Sequence, residues 1–208
     1  MGSNVVVIVD YGAGNLHSVT NAVASLGYQT KITREARDIV NARVVILPGV
    51  GAAAEAMSNL TKLGMVEPIR RYISEDRPFL GVCMGLQLLL SSTEEDGSHK
   101  CLGIVPGIVK LLPPGLKTPH MGWNQVRQLT PHPVFDGIPD MTNFYFVHSY
   151  YAVPDDGSVV LGQTEYGVTM CSAIARGNLV ATQFHPEKSG VLGLRMYDNF
   201  IKRVMKDN

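Results

Sequence analysis

A free thiol set between two glycines can serve as a nucleophile, and this 208-residue chain has one in Gly81-Val82-Cys83-Met84-Gly85. Phe79 to Val82 reads as a short strand and Leu86 to Leu90 as an apolar helix, so Cys83 occupies a strand-to-helix turn. Such an elbow lifts the sulfur out of the sheet and sets it at a helix N-terminus, where the dipole favours thiolate over thiol. The Met84 amide, first in that helix, points to where an oxyanion would form. A second reading of Cys83 stays open, since free cysteine is among the most buried residue types. Cys101 and Cys171 lack the glycine setting and read as buried thiols.

A thiol needs a base. Val180 to Phe184 has a strand pattern and leads into His185-Pro186-Glu187. Proline holds the residue before it extended, and residues two apart in an extended segment project to the same side. His185 and Glu187 can therefore touch, the carboxylate holding one ring nitrogen while the other faces outward. Alone, His-Pro-Glu is equally a surface turn with a solvated carboxylate. The rival base is His148, in Phe146-Val147-His148-Ser149-Tyr150. It has no acidic residue two positions on and reads as a packed or pocket-lining ring. His17, His99, His120 and His132 read as surface residues.

The elements that hold these residues follow from the apolar pattern. Val5 to Val9 is a β-branched run of the kind buried on both faces of a parallel sheet. Leu16, Val19, Val23 and Leu26 recur at helical spacing, with Gly27 as the stop. Val44 to Leu47 is the second strand expected, closed by Pro48-Gly49-Val50-Gly51. A helix runs on through Leu60, breaks near Gly64 and restarts around Pro68. From Gly103 to Gln183 the pattern turns to short β-like runs. Ser172 to Ala175 and Leu179 to Phe184 form a hairpin through Gly177-Asn178. A last helix carries Leu194, Tyr197, Ile201 and Val204 on one face. The expectation is one α/β domain over residues 1–208: a mainly parallel central sheet flanked by helices, with an antiparallel extension in the second half.

Composition narrows the function classes. With 18 basic against 18 acidic side chains, nothing in the charge points to nucleic acid or an anionic membrane. No apolar run approaches the roughly 20 residues of a membrane helix. The three cysteines make neither a disulfide framework nor a CxxC site, and the six histidines show no ligand spacing. That usage fits a reducing, cytoplasmic setting and no metal. Met1-Gly2-Ser3 carries no weight, since it can be partly an expression scar.

Taken together, Pro48-Gly49-Val50-Gly51, Gly81 to Gln87 and Gln183-Phe184-His185-Pro186-Glu187-Lys188-Ser189 resemble the class I (triad) glutamine amidotransferases in order and separation. Three further segments narrow the resemblance to the glutaminase subunits of imidazole glycerol phosphate synthases, which act in histidine biosynthesis. They are Asp10-Tyr11-Gly12-Ala13-Gly14-Asn15, Pro119-His120-Met121-Gly122-Trp123-Asn124 and Tyr145 to Tyr150. The similarity runs from Val5 to the last helix without departure at a catalytic position.

The resemblance implies a flavodoxin-like fold and no cofactor. It implies Cys83 as the nucleophile that forms a thioester with L-glutamine, His185 as the base and Glu187 as its orienter. It implies the amides of Val50, Gly51 and Met84 as the oxyanion hole, and Gly51, Gln87, Ser149 and Tyr150 as substrate contacts. Ammonia would pass to a (β/α)8-barrel cyclase, docked against segments that hold Asn15, Met121, Trp123 and Lys188. Two other readings compete. A sister amidotransferase serving anthranilate, pyridoxal phosphate or purine synthesis is disfavoured by the Asp10 to Asn15 and Trp123-Asn124 segments. A silent regulatory subunit is disfavoured by the intact Cys83, His185 and Glu187.

Overall fold

Strand β1, Val5–Val9, is buried on alternate sides in two different cores. Val7 and Val9 pack with one set of helices, Val6 and Ile8 with another, so the sheet lies between two helical layers. A computed structural model describes residues 5–12 and 14–205 of the chain. The reading of Met1-Gly2-Ser3, and Ala13 of the Asp10–Asn15 segment, lie outside the described residues.

The first half alternates as expected: α1 (Leu16–Ser25), β2 (Gln29–Thr33), α2 (Ala36–Asn41), β3 (Val44–Gly49), α3 (Ala53–Lys62), α4 (Val66–Ser74), β4 (Phe79–Cys83) and α5 (Met84–Leu88). Two elements, β2 and α2, are additional to those expected from the sequence. β2 pairs with β1 at the edge of the sheet, so Gln29-Thr30-Lys31-Ile32-Thr33 is largely solvated and carries no long apolar run. α2 is only six residues long, too short to show a helical period. Pro68 sits in the third position of α4 instead of the first. α5 begins at Met84, two residues earlier than the apolar run indicates.

After α5 come β5 (Ser92–Thr93), β6 (His99–Lys100), β7 (Gly107–Leu111), β8 (His120–Gln128), β9 (Thr142–His148), β10 (Tyr150–Pro154), β11 (Val160–Glu165), β12 (Thr169–Arg176), β13 (Leu179–Thr182) and the final helix α6 (Gly190–Met205). The central strands run in the order β2-β1-β3-β4-β13, all parallel. β12, β10 and β7 extend the sheet antiparallel, and the β8–β9 hairpin joins through β11. The β12–β13 hairpin forms with Arg176 opposite Leu179, and Gly177 takes the positive φ of 58° that the tight turn requires. β13 thereby lies parallel to β4, which brings the segment after Thr182 next to Cys83. α1 and α6 cover one face of the sheet; α2, α3, α4 and α5 cover the other.

Candidate active site

Cys83 ends β4 and caps α5 with φ 54° and ψ −104°, a conformation that side-chain-bearing residues rarely adopt. The packing around it explains the flanking glycines. A Cβ on Gly85 would run into the Leu47 carbonyl of β3, and one on Gly81 would come within 2.8 Å of the Gly85 oxygen. The elbow is thus a strained turn clamped between neighbouring strands. Its sulfur lies 3.7 Å from Gln183 Nε2 and 3.9 Å from the Val147 carbonyl.

His185 and Glu187 meet as the sequence suggests, by a slightly different route. His185 is extended, but Pro186–Lys188 is a turn of 3-10 helix instead of an extended tripeptide. Its tight wind brings Glu187 Oε1 to 2.7 Å from His185 Nδ1. A carboxylate only accepts, so Nδ1 carries a proton and Nε2 is the nitrogen left to exchange one. Nε2 is buried and has no hydrogen-bond partner. The two side chains are 1 % and 0 % exposed. Burial alone would push the ring down, but the nearby Cys83 sulfur and the Glu187 carboxylate outweigh it and lift the ring to about 10. Glu187 goes the other way: burial raises it, and the bond and charge of His185 together with Asn15 bring it below the usual carboxylate range.

Two residues fix Glu187 in turn. Asn15, in the left-handed conformation before α1, donates through Nδ2 to Oε1 at 2.5 Å, and Tyr197 of α6 donates to Oε2 at 3.2 Å. Ser189 ties the segment to β9, giving its hydroxyl to the His185 carbonyl and accepting from the Tyr145 amide.

In front of Cys83 lies a cleft of about 280 Å³. Val50, Gly51, Met84, Gln87, Ser149 and Tyr150, all singled out from sequence, line it with Cys83. Glu95, Pro119, Val147 and His148 also line it, and of these Glu95 belongs to no reading made from sequence. Glu95 accepts from the Ala53 amide at the start of α3, a contact between distant segments that leaves no local pattern. Asn15, Met121, Trp123 and Lys188 are not in the cleft. Met121 and Trp123 stand 61 % and 58 % exposed on β8. Trp123 meets Tyr145 of β9 edge-on, and the Lys188 ammonium lies 5.8 Å from the Tyr145 ring.

His148 is not positioned as a base. Its Nδ1 faces the Tyr150 carbonyl at 2.9 Å, so that nitrogen carries the proton. Its Nε2 then accepts from His120 Nδ1 at 3.0 Å, and His120 Nε2 accepts from Asn124 Nδ2 at 3.3 Å. Burial pushes His148 down to about 3 and His120 to about 4, in keeping with two neutral rings. Reading His120 as a surface residue is therefore wrong: it is buried, stacked between Phe146 and Tyr166. The bonds continue toward the thiol. The Tyr150 carbonyl also accepts from Gln87 Nε2 at 2.8 Å, whose second hydrogen goes to Gln183 Oε1 at 3.1 Å. Gln183 stands in the quoted His-Pro-Glu motif, yet its position behind the sulfur could not be read locally. Cys101 and Cys171 are buried away from the cleft, and burial pushes their thiols up to about 11 and about 12.

The family model for glutamine amidotransferase class-I matches residues 7–204. A chain named imidazole glycerol phosphate synthase subunit HisH, from Dehalococcoides mccartyi (strain CBDB1), is 52 % identical over 97 % of this chain and 98 % of its own. The protein of that name from Moorella thermoacetica is 53 % identical over 94 % and 93 %. The chain belongs to the class-I glutamine amidotransferases, in the HisH family. Solved structures agree in fold. PurLQS from Thermotoga maritima superposes on this amidotransferase with a TM-score of 0.76 at 14 % identity, covering 96 % of this chain and 98 % of that one. Among the described residues of the amidotransferase, no helix is long and apolar enough to cross a membrane.

Proposed function

We propose that this HisH-family amidotransferase hydrolyses L-glutamine at Cys83 and passes the ammonia to a (β/α)8-barrel cyclase, as the glutaminase subunit of a cytoplasmic imidazole glycerol phosphate synthase. The observation that carries the reading is the convergence of an elbow cysteine, a Glu187-held histidine and a cleft at one end of β4 and β13.

In this reading Cys83 gives its thiol proton to Nε2 of His185, and its sulfur attacks the side-chain amide carbon of glutamine. The carbonyl oxygen gains the charge, and the amides of Val50, Gly51 and Met84 receive it. The proton on Nε2 of His185 goes to the leaving nitrogen, ammonia departs, and a thioester remains on sulfur. Water then gives its proton to Nε2 and attacks the thioester; as the C–S bond breaks, the sulfur takes that proton back and glutamate leaves. Glu187 keeps the ring in one tautomer without exchanging protons itself. Gln87 has spent both Nε2 hydrogens inside the protein, so it offers the cleft its carbonyl oxygen. With Glu95 it makes an acceptor-rich wall suited to the α-ammonium of an amino acid, and Ser149 and Tyr150 line the same cleft. Met121, Trp123 and Lys188 present the docking face, with Asn15 reaching from its margin to Glu187.

The test is covalent. A diazo-ketone analogue of glutamine should label Cys83 alone among the three cysteines, and Cys83→Ala should abolish glutamate release while the complex with cyclase still uses added ammonium salts. Labelling of Cys101 or Cys171, or glutamate release by Cys83→Ala, would overturn the assignment.

A further inference from the structure

Tyr11 carries a buried hydroxyl that the mechanism above does not use. The residue follows β1, is 3 % exposed, and its oxygen has no surface that water can touch and no hydrogen-bond partner. Its neighbour is the backbone of Gly49, the last residue of β3: a Cβ on Gly49 would clash with the Tyr11 hydroxyl. The same built atom would lie 3.0 Å from Met84 Cβ, so the phenol ends where the loop after β3 meets the elbow. A buried hydroxyl without a partner carries the full cost of its lost hydration, and native proteins keep few of them.

We propose that Tyr11 is a positioning residue for the oxyanion loop, its hydroxyl anchoring the Gly49 carbonyl in the orientation that turns the Val50 N–H into the cleft. The proposal rests on the reading of Val50 as an oxyanion donor. A trans peptide is planar, so the carbonyl of Gly49 and the N–H of Val50 point in opposite directions. Tyr11 borders a second cavity of about 240 Å³ together with Val50 and Gly51, and those two residues also line the substrate cleft, which Tyr11 does not. When the carbonyl swings onto the phenol, the amide swings toward the substrate. Glycines on both sides of Val50 permit the rotation, and Gly51 already holds a φ of 101°. Gly49 is also the residue whose missing side chain leaves room for the phenol, so the two positions are matched.

The consequence is an unusual pairing of effects for Tyr11→Phe, which removes one oxygen and keeps the ring. In the complex with the barrel cyclase and its ribonucleotide substrate, kcat for glutamine should fall roughly five- to tenfold, the effect of one ordinary hydrogen bond. KM should hold, because the ground-state contacts are elsewhere. Affinity for glutamate γ-semialdehyde, whose adduct with Cys83 carries the oxyanion, should weaken by the same factor as kcat. The urea midpoint should stay level or rise, since an unsatisfied buried oxygen has been removed. Unchanged kcat and aldehyde affinity, or a loss of activity that follows a lowered midpoint, overturns the role of Tyr11. A wild-type complex that releases no glutamate would instead strike the underlying reading.

Discussion

At the scale of single residues, the site is a set of side chains each of which leaves its neighbour one choice. Glu187 fixes the proton on His185 Nδ1, and Asn15 and Tyr197 fix Glu187. An orienter that never gains a proton contributes less than the base it orients. Glu187→Gln should therefore retain more activity than His185→Ala, which should lose about a thousandfold or more in kcat. Because the members act as a unit, the double variant should be hardly worse than His185→Ala alone. Steady-state kinetics on the three variants decides this, and additive losses would mean that the two residues act independently.

Among elements, the decisive join is between the parallel half and the antiparallel half of the sheet. β13 sets His185 beside the end of β4, and the β9–β10 segment brings Val147, Ser149 and Tyr150 to the cleft in front of the sulfur. Asn124, His120, His148, the Tyr150 carbonyl, Gln87 and Gln183 form a run of hydrogen bonds from β8 to Cys83. Its direction requires both rings to be neutral with the proton on Nδ1. Nitrogen-15 NMR at pH 6 should show that tautomer for His120 and His148. Both pKa values are lowered from 6.5, to about 4 and about 3, so the rings favour folding above pH 6.5. That contribution is lost as the pH falls through the range between 6.5 and those values. A charged ring or an Nε2–H tautomer at either position at pH 6 would break the run.

For the molecule as a whole, the proposed docking face and the nucleophile meet at one narrow hairpin. Met121 pairs with Val147 and Trp123 with Tyr145 in the β8–β9 ladder, while the Val147 carbonyl lies 3.9 Å from Cys83 Sγ. Met121 and Trp123, two apart on a strand, point to the same side, and both are exposed. Large apolar side chains left in water beside a polar rim are the usual anchors of an interface. Trp123→Ala should raise the Kd for the cyclase about 30-fold or more, as loss of a central aromatic anchor does. Intrinsic labelling of Cys83 by the glutamine analogue should survive. Isothermal titration with the cyclase measures the first and mass spectrometry the second; an unchanged Kd would move the docking surface elsewhere.

The sequence by itself determined the chemistry-bearing pieces that are local. The Gly81 to Gly85 elbow, the contact of His185 with Glu187 and the buried run of β1 each depend on neighbours a few residues away, and residue type and spacing expose them, although the segment that makes the contact reads as extended and folds as a 3-10 turn. The solvated edge strand β2 and the short α2 escaped because neither has a long apolar period. What only the tertiary structure decided are the pairings of residues far apart in the chain. Asn15 with Glu187, Gln183 with Cys83, Glu95 with Ala53, His120 with His148 and Tyr11 with Gly49 are such contacts. In each, the partner is chosen by sheet order and by the need of buried polar groups for one another. Neither leaves a mark on the local pattern of the chain.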